Sequence, residues 1–122
     1  VTDYRPGQCN IGSEQRQRRA RIAALAFLTA AAVVAAYLAG GLPEPLLLVV
    51  FIPLAVGFEW AFQSHESFCV RLAMVGQYAF GDDRGDVPDA ANRRADRLYA
   101  AKITAASVLL AAVVTAALVF AL

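Results

Sequence analysis

The chain has 122 residues, 59% of them hydrophobic and 17% charged, with a formal net charge of +1. So large an apolar share exceeds that of water-soluble domains, and arginines interleaved with aspartates at near-neutral charge exclude the basic footprint of a nucleic-acid binder. The composition points to a bilayer as solvent and to a single all-α membrane domain over residues 1–122.

Val1 to Gly12 is a polar lead-in with a turn at Pro6-Gly7. From Ser13 a run of strong helix formers enters an apolar stretch without a breaker, which predicts one helix from about Ser13 to Ala39. Its uncharged part, Ile22 to Gly40, crosses a hydrocarbon core of roughly 30 Å at about 1.5 Å per residue. It is too long, and too far from the chain's first residue, for a cleaved signal, so it reads as a retained span. Gly40-Gly41 closes this helix and Pro43-Glu44-Pro45 opens the next, and so short a connection forces an antiparallel hairpin.

The second apolar stretch is uncharged from Leu46 to Phe58; Glu59 interrupts it just before Trp60, and Pro53 predicts a bend within it. Phe68 to Phe80 is half apolar but carries Arg71 and Gln77, which predicts a helix lying in the cytoplasmic interface or packed beneath the bundle rather than a span. Gly81 to Pro88 reads as the clearest loop of the chain. Asp89 then caps a helix expected to run unbroken to Leu122, with no charge from Ile103 onward. The expected fold is thus an all-α integral membrane protein with spans at about 21–40, 44–63 and 100–122 and a cytoplasmic connection over 64–99.

All eleven basic residues fall on one side of that arrangement. Arg5, Arg16, Arg18, Arg19 and Arg21 precede the first span, and Arg71, Arg84, Arg93, Arg94, Arg97 and Lys102 lie between the second and third. Lys and Arg near span ends are retained in the cytoplasm, so the N-terminus is expected to be cytoplasmic and the C-terminus extracytoplasmic. The outer spans are rich in alanine, including Ala30, Ala31, Ala35, Ala111, Ala112 and Ala116. Small residues four apart allow close helix approach in lipid, so the expected partners are the bilayer and other membrane helices, in a homo-oligomer or a larger complex, with no nucleic acid. The start of the third helix, with Arg93, Arg94 and Arg97, is the candidate docking collar.

No phosphate-binding, metalloprotease or hydrolase motif occurs, and no pattern names a cofactor. Chemistry-bearing residues gather after the second span: Glu59, His65, Glu66 and Cys69, joined by Cys9 from the lead-in. Glu59 is singled out because an ionisable group in a span is costly and marks function or pairing. It is expected in the inner third of the membrane, turned toward a cytoplasmic arginine, His65 or a neighbouring chain. His65 with these carboxylates has the atoms for a proton relay or a metal, but there is no second histidine, and no metal is expected. Cys9 and Cys69 lie on the reducing side and belong to no Cys-x-x-Cys pair, so no disulfide is expected.

The segment Cys9-Asn10-Ile11-Gly12, followed by Arg16, Arg19 and an apolar hairpin ending near Cys69, resembles the small transmembrane module that accompanies rhodanese domains in bacterial inner-membrane proteins. The resemblance covers roughly residues 9–70 and implies a bacterial plasma membrane and, for Cys9 and Cys69, a part in sulfur handling. Val70 stands where that family commonly has proline, these residues contain no rhodanese domain, and the third span is additional. The residues themselves lead first to a non-catalytic accessory or scaffold subunit. The rival readings are a thiol- or sulfur-handling protein using Cys9 and Cys69 and a small oligomeric transporter or channel organised around Glu59.

Overall fold

A computed structural model describes residues 4–80 and 83–122. Helix α1 spans Ser13–Leu38, a 3-10 segment Glu44–Val50 leads into α2, Phe51–Glu66, and a short α3, Val70–Val75, follows. Strands β1, Gln77–Phe80, and β2, Asp83–Asp86, form an antiparallel hairpin before α4, Ala90–Ala121. Three helical stretches, Ser13–Leu38, Glu44–Glu66 and Ala90–Ala121, are long and apolar enough to cross a membrane.

Helix α1 ends where the paired glycines stop it: Gly40 adopts φ 81° and Gly41 N–H bonds back to Ala36 O. At the start of α4 the Asp89 carboxylate accepts from Ala91 N–H at 2.8 Å. The second span departs from expectation. Pro53 falls in the first turn of α2, where a missing N–H costs nothing, and the irregularity is displaced upstream as the 3-10 turns of Glu44–Val50.

The expected interfacial helix over 68–80 is cut to the six residues of α3. Gly76 stops it in the left-handed region at φ 74°, and Gln77–Phe80 leaves as a strand paired Ala79 to Arg84. The 81–88 segment, read as loop, therefore supplies β2; residues 81 and 82 lie outside the described residues. The reason is remote. Ala79 N–H donates to Asn10 O and Ala79 O accepts from Gly12 N–H, so the lead-in lies alongside β1 and draws it extended.

Helix α2 is central, packed on α1 on one side and on α4 on the other. Ala30, Val50, Leu54 and Ala111 form one core between the long helices, and Phe68, Ala73, Ala100 and Ile103 a second core beneath it. At Gly57 the α1–α2 approach is so close that a Cβ would sit 2.7 Å from the Phe27 ring, which packs edge-on to Phe58. On α4 the buried residues Asp96, Ala100, Ile103, Ser107, Ala111 and Thr115 recur every three or four positions and form one inward stripe.

Candidate functional site

The polar residues converge at one end of the bundle in three connected groups. The first is a clasp between the lead-in and the turn after α2. Ser67 closes α2 in the left-handed region at φ 54°, and its carbonyl accepts from both Asn10 N–H and Ile11 N–H. The fully buried Asn10 amide then engages Cys69 twice: Cys69 N–H donates to Asn10 Oδ1 at 2.6 Å, and Asn10 Nδ2 donates to Cys69 O at 3.1 Å. One side chain thus satisfies backbone groups that a chain turn would otherwise bury unpaired.

The second group seats the chain's first described residues on α4. The buried Asp96 carboxylate accepts from Tyr4 Oη at 2.6 Å and from Gly7 N–H at 2.7 Å, with Gly7 at φ 66° against Ala95. Burial, then the hydrogen bond and charge of Asp96, push the Tyr4 phenol well above its ordinary value of 10.0.

The third group links all three long helices. Arg19 Nε donates to Gln63 Oε1 and its Nη1 to Gln15 Oε1, with the guanidinium 5.2 Å from the centre of the Trp60 ring. Gln63 Nε2 donates to Glu59 Oε1 at 3.2 Å, and Thr104 Oγ1 donates to the same oxygen at 3.0 Å. Just beyond, Arg16 Nε donates to Ser64 O while Ser64 Oγ donates to Arg16 O, a reciprocal tie between α1 and α2.

The residues singled out in the sequence fall into different places. Glu59 joins the three-helix network, one amide away from Arg19. His65, Glu66 and Cys9 line a cavity of about 560 Å³ together with Arg5 and Tyr99. Cys69 is buried and borders a larger cleft of about 1050 Å³, which Glu59 also lines. Both cysteines are free, and Cys9 Sγ faces Ile11 O at 3.7 Å. Among the described residues no three His, Cys, Asp or Glu side chains converge as a metal site. Arg94 and Arg97 project from the collar, whereas Arg93 folds back, its Nη1 donating to Val87 O and Pro88 O and its side chain lying over Gly76.

No protein-family model, curated protein or solved structure matches this chain.

Asn10, Gln63, Asp96 and Thr104 were not marked as site residues by the sequence. Asn10 stood in the Cys-Asn-Ile-Gly segment, and Gln63 lies one turn from Glu59, which is the spacing of a helical side-chain pair. Asp96 precedes Ala100, Ile103 and Ser107 at helical spacing, a pattern that places a carboxylate on the inward face.

Proposed function

We propose that the chain is a three-span integral membrane protein, with its N-terminus and the 64–99 connection cytoplasmic and its C-terminus on the opposite side. Its role is that of a non-catalytic accessory or scaffold subunit. The observation that carries this reading is a contrast between the two ends of the bundle. At the end that holds the arginines, polar groups are occupied by bonds that hold segments together: Asn10 to Cys69, Asp96 to Tyr4 and Gly7, Glu59 to Gln63 and Thr104. Along the helices, large apolar side chains have no cover within the chain, among them Leu25 at 64% and Leu28 at 65% exposure on α1 and Leu109 at 64% on α4. Lipid covers part of such a surface, and helices of further copies or of other subunits cover the rest.

The bonding pattern supports this topology independently of charge. Segments around residues 4–12, 64–80 and 87–97 bond to one another, and groups that touch outside a bilayer must share one side of it. An even number of crossings between the first two of these segments follows, and α1 and α2 supply two. The positive-inside rule then makes that side cytoplasmic, and the plasma membrane of a bacterium is the setting implied by the rhodanese-linked module. The Asn10–Cys69 clasp joins the two ends of the resembling segment. The sulfur role gains no support from it, since Cys9 and Cys69 line different cavities.

Purification of the full chain in a mild detergent, followed by mass analysis of the intact particle, tests the reading. A scaffold subunit emerges with further copies or other membrane chains. A particle with the mass of one chain, from membranes that contain all its neighbours, overturns it.

A further inference from the structure

The 1050 Å³ cleft lies between α1, α2, α3 and the β-hairpin, at the level where the apolar bundle gives way to the polar end. Four arginines border it, Arg18, Arg19, Arg71 and Arg84, against three carboxylates, Glu14, Glu59 and Asp86. Glu59 accepts from Gln63 and Thr104, and Asp86 accepts from Gln77; these donors are neutral, so the carboxylates keep their charge and the arginines exceed them by one.

Arg19 is the unusual member. It is only 7% exposed, yet among the described residues its hydrogen bonds go to two neutral side-chain amides and not to a carboxylate. A guanidinium carries five N–H donors, so a buried one held by two amides keeps donors and a full positive charge to offer into the cleft it borders. A buried charge whose nearest bonded carboxylate, Glu59, stands one bridging amide away is only partly compensated, and an anion in the cleft lowers the remaining cost.

The cleft also continues into an apolar track. Arg18, Ile22 and Leu25 stand at i, i+4 and i+7 on α1, so they share one face. Arg18 and Ile22 both line the cleft, and Leu25 beyond them is exposed. Trp60, in the wall beneath Arg19, belongs to a residue type that settles at headgroup level. Charge at the mouth followed by an uncovered apolar face is the order of groups along a phospholipid molecule.

We infer that this cleft binds the phosphate headgroup of an anionic phospholipid of the cytoplasm-facing leaflet, with Arg19 as the buried anchor and Arg18 and Arg71 at the lip. One acyl chain runs along Ile22 and Leu25. The inference rests on the membrane reading above. It goes beyond general attraction of basic flanks to anionic lipid because it assigns one headgroup to one place.

The test uses the full chain reconstituted in nanodiscs of phosphatidylcholine doped with phosphatidylglycerol, with lipid retained on the protein after detergent extraction counted by native mass analysis. One phosphatidylglycerol per chain is expected to be retained, with phosphatidylcholine released. The Arg18→Gln/Arg71→Gln variant, whose side chains are exposed and outside the internal network, is expected to lower apparent affinity at least tenfold. Arg94→Gln/Arg97→Gln, on the collar and away from the cleft, is expected to change it less than twofold. Equal losses in the two variants, or no retained phosphatidylglycerol, overturn the site. Full competition by millimolar inorganic phosphate overturns the lipid as ligand and leaves a free anion in its place. Resistance to alkaline extraction is measured on the same preparations: an integrated protein that retains no anionic lipid overturns the site alone, and a protein that washes off overturns the membrane reading with it.

Discussion

Replacing Asn10 with alanine isolates the clasp on which the polar end is built. The Cys69 N–H, buried and donating only to Asn10 Oδ1, loses its acceptor, whereas Cys69 O keeps the Ala73 N–H as a partner. An orphaned buried donor costs about 1–3 kcal/mol and the second lost bond about 1 kcal/mol, so the turn after α2 is expected to loosen by about 2–4 kcal/mol. In a Cys9→Ser background the only thiol is Cys69, which is 2% exposed and reacts only when that turn opens. At about 1.4 kcal/mol per factor of ten, Asn10→Ala should raise the rate of maleimide labelling of Cys69 by roughly 30- to 700-fold, up to the rate of an unprotected thiol. Asn10→Asp keeps an acceptor for Cys69 N–H but cannot donate to Cys69 O and buries a charge, so it should open the turn at least as far. A labelling rate within threefold of the parent for Asn10→Ala would refute the clasp as the element that holds this end.

Gly57→Ala places a methyl against the Phe27 ring, and thermal unfolding in detergent should show a loss of about 1–3 kcal/mol that Phe27→Leu partly restores; equal losses in single and double variants would contradict the close approach. Because the folded chain raises the Tyr4 phenol, the stability contributed by its bond to Asp96 is complete below pH 10.0 and is lost as the pH rises past it toward the folded value. The phenolate absorbance that is lost in Tyr4→Phe should therefore titrate above pH 10; a parent-minus-variant difference that ionises at pH 10 or below would count against the Asp96 seat. Glu59→Gln retains an oxygen acceptor for Gln63 and Thr104 and should unfold within about 1 kcal/mol of the parent, with ion flux across reconstituted vesicles unchanged, whereas Glu59→Leu should cost about 1–3 kcal/mol. A specific flux that disappears in Glu59→Gln at unchanged oligomeric state would replace the scaffold reading with a conduit.

What the sequence made legible is what depends on near neighbours. The start of α1 at Ser13, its end by the paired glycines, and the Asp89 cap of α4 each follow from residues within a turn or two, and the structure places them there. Glu59 was conspicuous because a carboxylate in an apolar run needs no partner to be noticed. Its partner was not legible: Thr104 lies 45 positions away and is an ordinary residue for a helix face. The same distance effect explains the strand at Gln77–Phe80. Composition over 68–80 suits an interfacial helix, and only the pairing with Ile11 and Gly12 and with the hairpin's other arm decides for an extended backbone. The place of Pro53 was hidden for a subtler reason, since the sequence did not announce that the α-helix proper begins as late as Phe51, which puts the proline in its first turn just after the 3-10 segment.

The seating of Gly7 on Asp96 spans 89 positions, which sets an order on biosynthesis. At about 5–20 residues per second, roughly 4–18 s separate the emergence of the lead-in from that of the carboxylate that receives it. The lead-in is therefore made well before α4 and yet is among the last of these segments to settle. In that interval Asn10 can dock only once Cys69 has followed, so the 1050 Å³ cleft acquires its walls in stages, with the β-hairpin arriving last. A ribosome stalled before Asp96 would display a hairpin of two helices whose lead-in is not yet seated on α4 and stays open to proteases, chaperones or modifying enzymes that the finished protein no longer admits.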